Sequence, residues 1–214
     1  IMPKIINKIV KVLIISDFFL YLGWGLLAPV FAIFILENIA TQSALEAAKI
    51  AGFSALFYWI TKSLLEIPIG FFLDKKYGEK DDFWLMVVGT FITASVPIGF
   101  LFSSLPWHIY FFQIIQAIGM AMTLPAWLAI FTRHIDKGKE AFEWGMATTS
   151  IGTGAGIAGG VGGIMAGVFG FNVLFIFVSI FTLLSAFLLL FIKNNVFVKN
   201  KDGFVIPMKS VIEP

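Results

Sequence analysis

"FWLMVVGTFITASVPIGFLFSSLPWHIYFFQIIQAIGMAMTLPAWLAIFT" fills positions 83 to 132, fifty residues without a single Asp, Glu, Lys or Arg. One α-helix crosses the hydrocarbon core of a bilayer in about 20 residues. The run therefore holds two crossings, with Ser103, Ser104, Leu105 and Pro106 as the turn between them. Working outward, a second run from Trp144 to Ile192 is also free of these charges for forty-nine residues and divides at Phe169-Gly170-Phe171-Asn172. The apolar stretch from Val10 to Leu73 divides at the polar "ENIATQSALEAAK" (37–49). Six spans are expected, at about 12–36, 48–73, 83–103, 107–132, 144–168 and 172–192. The reading is an all-α integral membrane domain over 1–193, then a cytoplasmic tail or the start of a central loop over 194–214. A β-barrel is excluded, because its strands alternate over about ten residues.

Composition agrees. Of the 214 residues 59% are hydrophobic and only 13% charged, where soluble domains carry about 25% charge. Such a chain could not coat a water-facing surface, so its solvent is the lipid bilayer. A net charge of +2 gives no footprint for nucleic acid, and the lack of cysteine removes disulfides, thiol nucleophiles and cysteine metal sites. The basic start "IMPKIINKIVKV" lacks a small-residue cleavage site after its apolar run, which predicts an anchor, not a signal peptide.

Thirteen of the fifteen Lys and Arg residues fall before span 1, between spans 2 and 3, between spans 4 and 5, or after span 6. Basic loops stay cytoplasmic, so both termini are expected inside, at the plasma membrane. "GWGLLAP" (23–29) and "GMAMTLP" (119–125) share Gly and Pro at the same interval, offset by 96. They open two three-span units. Three is odd, so the second unit enters the membrane inverted, as in transporter repeats.

The turn between spans 2 and 3 is "GFFLDKKYGEK" (70–80). Gly70 admits a neighbouring helix, Asp74 can accept from the positive end of a facing helix, and Gly78 suits a tight reversal. Span 4 contains Gln113, Gln116 and Gly119, and span 5 contains Gly154, Gly159, Gly162 and Gly163. In order, these three stretches resemble the major facilitator superfamily, whose patterns read G-x-x-x-D-[RK]-x-G-[RK]-[RK], R-x-x-Q-G-x-G and G-x-x-x-G-P-x-x-G-G. The likeness covers roughly 12–193. It implies the N-terminal six-helix half of a transporter, with Gly70, Asp74, Gly78 and either Lys75 or Lys76 forming a cytoplasmic gate. The chain departs from the patterns: Gly78 follows Asp74 by four residues instead of three, Glu79 replaces a basic residue, Gln113 replaces the arginine, Gly159 replaces the proline, and Ala117 and Ala158 stand for glycines.

Other residues stand out on physical grounds. Gly152, Gly156 and Gly160 form one four-residue row, and Gly159, Gly163 and Gly167 another. Rows at this spacing let helix backbones touch, though a hinge would use glycine too. Lys62 and Glu66 lie within span 2, where each charge costs about 2.5–3.5 kcal/mol at the membrane centre. They either neutralise one another at i,i+4 or bind a substrate or coupling ion. Asp17 shares a stripe with Tyr21 and Trp24, and span 4 carries Gln113, Gln116 and Trp127. For Asp17 the alternative is an interfacial anchor, and for the aromatics plain packing.

The expectation is a secondary carrier, or half of one, moving a small solute by alternating access. Spans 1 and 4 would line the path, spans 2 and 5 would meet a second six-helix half or a second copy, and spans 3 and 6 would face lipid. The competing reading is a non-transporting membrane scaffold. No enzyme, cofactor or metal is expected, since His108 and His134 fall at opposite membrane faces.

Overall fold

The computed structural model describes residues 6–40, 43–75 and 79–197. Regular structure among the described residues is entirely helical: α1 Lys8–Leu27, α2 Phe31–Asn38, α3 Ala44–Lys75, α4 Lys80–Leu101, α5 Pro106–His134, α6 Glu140–Leu190 and α7 Lys193–Val196. Five of these, α1, α3, α4, α5 and the stretch containing α6, are long and apolar enough to cross a membrane.

Local chemistry sets the ends of these helices. The Asn7 side chain caps α1 by accepting from the Ile9 N–H at 3.0 Å. Pro106 occupies the first turn of α5, where its missing N–H costs nothing. His108 folds back there, and its Nδ1 accepts from the N–H groups of Ser104 (3.2 Å) and Leu105 (3.3 Å). The stretch expected as one helix over 12–36 is instead two. Pro29 has no N–H to continue the ladder, and Ala28–Val30 form a turn between α1 and α2.

At 51 residues, a straight α6 would run about 76 Å at 1.5 Å per residue, far beyond a bilayer. It reverses at Gly170, whose φ of 80° and ψ of 168° suit glycine alone. The side chains prove the reversal. Ser150 Oγ donates to the Ile14 carbonyl at 3.3 Å, and Ser16 Oγ donates to the Ser185 carbonyl at 3.1 Å. Residues far apart along α6 thus meet adjacent positions of α1, so the two limbs run antiparallel.

Helix α1 lies along both limbs of α6, and α5 lies against α3 and α4. Small residues let these backbones approach. A Cβ on Gly25 would stand 2.8 Å from Ala155 Cα, and one on Gly89 would stand 2.5 Å from the Gly119 carbonyl oxygen. The two groups join where α4 meets the second limb of α6. There Ser179 Oγ donates to the Ala94 carbonyl at 2.7 Å, and Phe91 and Phe187 sit edge to face at 5.4 Å.

Two apolar cores result. One gathers Leu13, Leu73, Phe83, Met86, Ile130, Phe131 and Leu189; the other gathers Leu26, Phe34, Ile35, Phe100, Ile109, Leu174 and Phe175. Helix α3 stays peripheral: only 11% of its most apolar window is buried, against 56% for α1 and α4. Leu64, Ile67 and Phe71 on α3 project outward, as do Ile164 and Val168 on the first limb of α6. Apolar faces this bare need lipid or another protein surface.

Candidate functional site

Helices α1 and α5 meet only briefly. The gap between them, closed on a third side by α3, is a cleft of about 290 Å³. Trp24 and Phe31 contribute from the first span, Ser54, Tyr58 and Trp59 from α3, and Gln113 and Gln116 from α5. Three of the residues singled out in the sequence, Trp24, Gln113 and Gln116, are therefore brought together. Two polar atoms here are buried without a hydrogen bond: Trp24 Nε1 and Gln116 Oε1. Buried polar groups are ordinarily paired, and each one left alone costs about 1–3 kcal/mol. Both belong to side chains of the cleft wall, and neither atom itself has accessible surface.

Along α1 from Trp24 come half-buried Tyr21 and buried Asp17. On α3, Lys62 Nζ donates to Glu66 Oε2 at 2.7 Å, and its ammonium lies 5.6 Å from the centroid of the Trp59 ring. Lys62 is buried while Glu66 keeps 29% of its side chain exposed, so the pair stands at the edge of the open face of α3. Ser54, Tyr58, Lys62 and Glu66 form one row at four-residue spacing. Only the charges of its last two members stood out in the sequence; Ser54 and Tyr58 gain meaning from the packing of α3 beside α5.

Trp127 stands apart from the cleft. It stacks on Phe131 at 4.5 Å and meets Trp144 at 6.1 Å, inside the core of Leu13 and Phe83. Fourteen residues of helix separate it from Gln113, about 21 Å along α5.

A second cleft, of about 410 Å³, opens between the C-terminal ends of α3 and α5 and is lined by Gly70, Asp74, Pro125 and Arg133. The Lys75 ammonium sits over the Phe71 ring at 4.1 Å. Lys76 and Gly78, the other expected gate residues, lie outside the described residues. Beside this cleft is an ionic cluster that the sequence analysis missed. Arg133 pairs with Asp82 and lies 3.9 Å from Glu79, while His134 Nε2 is 3.5 Å from Glu79 Oε2. His134 Nδ1 lies 2.9 Å from the Ile130 carbonyl, which fixes the proton on that nitrogen. Burial pushes the Glu79 carboxyl up to about 7, against the opposing pull of Arg133 and with a further push from Asp82.

The glycine rows of the first α6 limb face outward. A Cβ at Gly152, Gly156, Gly159, Gly160 or Gly163 would meet nothing within 4 Å. The glycines of that limb that pack within the chain are Gly154, against Phe18, and Gly162, against Leu26.

The described helices thus form a multi-pass membrane bundle with a cleft among α1, α3 and α5. The sequence pattern of the Major Facilitator Superfamily matches residues 13–207, and the chain belongs to that superfamily. It is also 29% identical over 198 residues to a protein of Methanocaldococcus jannaschii described as an uncharacterized MFS-type transporter. The match covers 92% of this chain and 49% of that relative, so the chain spans about half the length of the curated relative it matches.

Proposed function

We infer that the chain forms one wall of a secondary carrier that moves a small solute across the plasma membrane by alternating access. The observation that carries this reading is the cleft between α1, α3 and α5, lined by the polar side chains of Ser54, Tyr58, Gln113 and Gln116. Polar side chains gathered around one space in otherwise apolar spans are what a solute path needs.

The helix contacts support two inverted three-span units. Exchange of the units maps α1 against the two limbs of α6 onto α5 against α3 and α4, and maps the contact of α4 with the second limb onto itself. The charge distribution supports cytoplasmic termini. The open glycine face of α6 and the bare face of α3 are the surfaces for the opposing wall, either a second six-helix half or a second copy of this chain. Asp74 and Arg133, at the inner ends of α3 and α5, stand where the two walls would close on the cytoplasmic side.

Purified protein screened for solutes that raise its melting temperature supplies candidates for flux into proteoliposomes. Saturable flux that is lost in both Trp24→Ala and Gln116→Ala is the expected result. Solutes that bind at the cleft but never cross would point to the scaffold reading instead.

A further inference from the structure

We propose that His134 and Glu79 hold a single proton between them, forming a latch where the ends of α1, α4 and α5 meet, and that the latch opens when the proton leaves. The proposal does not rest on the carrier reading. It follows from position, proton count and charge at one buried contact.

His134 closes α5, Glu79 is the N-cap of α4, and Asn7 is the N-cap of α1. Asn7 Nδ2 donates to the His134 carbonyl at 3.3 Å, and His134 Nε2 lies 3.5 Å from Glu79 Oε2. One residue thus touches all three helix ends. The His134 side chain is 1% exposed and that of Glu79 7%, so water is kept from the contact. This chain alone buries both side chains, and no second wall is required to define their surroundings.

The Ile130 carbonyl, 2.9 Å from His134 Nδ1, takes the one ring proton of a neutral imidazole. Nε2 then presents a lone pair to a carboxyl oxygen 3.5 Å away. Two acceptors at that distance repel unless a proton lies between them. Moving the ring proton to Nε2 would give up the bond to Ile130. One further proton, on the Glu79 carboxyl and donated to Nε2, satisfies both contacts.

Charge gives the same count. Arg133 pairs with Asp82 and lies 3.9 Å from Glu79 Oε1. One guanidinium balances one carboxylate, so the four side chains are neutral together only when Glu79 and His134 share one proton. Asp74 and Asp81 add negative charge near Asp82 and oppose a second free carboxylate. Among the described residues, the other nearby charges are engaged elsewhere or exposed. Lys8 of α1 donates to Asn195 at 3.1 Å, and Lys75 of α3 sits over Phe71. Lys139 pairs with Asp136, Glu143 of α6 accepts from the Asp136 N–H, and Lys193 of α7 lies over Trp84. Lys80 and Lys137 are exposed. Burial holds the Glu79 carboxyl up to about 7, so the proton leaves close to neutral pH. The Nε2 lone pair and a carboxylate then face each other without water, and the helix ends part.

The chain has two histidines, and nitrogen-15 labelled histidine in the full gene product in nanodiscs reports on both by magnetic resonance. They are told apart by tautomer: His108 Nδ1 accepts two N–H groups, whereas His134 Nδ1 donates. At about pH 6, where a free imidazole is mostly protonated, His134 should be neutral, with Nε2 accepting a hydrogen bond. That bond should disappear from the Nε2 signal as pH rises through about 7. Glu79→Gln keeps a donor toward Nε2 at every pH and should abolish the transition. Backbone hydrogen exchange in the first turn of α4 should match that of Glu79→Gln near about pH 6. Near about pH 8.5 it should be about tenfold faster in the wild type, the factor for losing one strong hydrogen bond.

If Glu79→Gln does not fold, the wild-type Nε2 titration decides alone. A His134 ring that titrates as a free imidazole would overturn the proposal. So would an Nε2 signal that is constant across neutral pH, a transition that survives Glu79→Gln, or exchange rates that match Glu79→Gln at both pH values.

Discussion

Removing one partner from the Lys62–Glu66 pair should cost far more than removing both. The two charges sit 2.7 Å apart, with side-chain exposures of 8% for Lys62 and 29% for Glu66. At an effective dielectric near 20 their attraction is about 6 kcal/mol before desolvation. Breaking a buried pair by deleting one member costs about 3–5 kcal/mol, because the survivor stays charged and dry. Glu66 is partly exposed, so Glu66→Gln belongs near the lower end, about 3 kcal/mol. For a chain of this size that is a fall of roughly 6 °C or more in melting temperature. The double replacement Lys62→Met with Glu66→Leu removes both desolvation costs and should lie within about 1 kcal/mol of the wild type. Thermal unfolding in nanodiscs, followed by tryptophan fluorescence, reads all three proteins. If the double replacement falls as far as Glu66→Gln, mutual neutralisation is not what the pair does. If it leaves stability intact and abolishes flux, the pair belongs to the transport path instead.

Further outcomes follow from the same structure. Glu79 titrates near 7 in the folded chain, above its ordinary 4.5; its contribution to stability is full below about pH 4.5 and is lost as pH rises through 7. Unfolding free energy should therefore decline between pH 5 and 8 by an amount on the order of 3 kcal/mol, seen as a falling melting temperature, and Glu79→Gln should flatten that decline; an unchanged slope would refute it. Gly162→Leu drives a side chain into the Leu26 backbone and should prevent folding, whereas a Cβ at Gly156 meets nothing within 4 Å, so Gly156→Leu should leave the chain folded while blocking assembly or flux. Size-exclusion profiles and melting curves separate the two. With no native cysteine, single cysteines at Ser104 and Asn172 should react with an impermeant thiol reagent in intact cells, and one at Gly138 should not. Labelling at Gly138 from outside would invert the orientation.

Gaps between charges carried most of the membrane architecture, because a charge inside hydrocarbon is costly enough to leave a clear signal in one sequence. The reversal at Gly170 was legible for the same reason: no single helix could use forty-nine uncharged residues. The break at Pro29 was not. Pro68, Pro97 and Pro125 all lie inside continuous helices, and nothing in the residues around Pro29 sets it apart from them.

Half of the cleft was visible in the stripes of α1 and α5. Its α3 wall was not, because Ser54 and Tyr58 gain meaning only once α3 is seen to lie beside α5. Glycine rows recur around the first α6 limb with one spacing. Which row packs inside the chain depends on where α1 lies, and this left Gly154 and Gly162 undistinguished from their outward-facing neighbours. The cluster of Glu79, Asp82, Arg133 and His134 joins residues some fifty positions apart. The hint available was opposite charges at helix ends facing the same side of the membrane, in a chain with little charge to spare.

The central claim is that the cleft opens in turn to each side of the membrane. A single cysteine at Gln113, in the wall of the cleft, tests it without knowledge of the solute. An impermeant thiol reagent is applied to right-side-out and to inside-out vesicles holding the full gene product. Alternating access predicts labelling from both sides. Labelling from one side alone would contradict it.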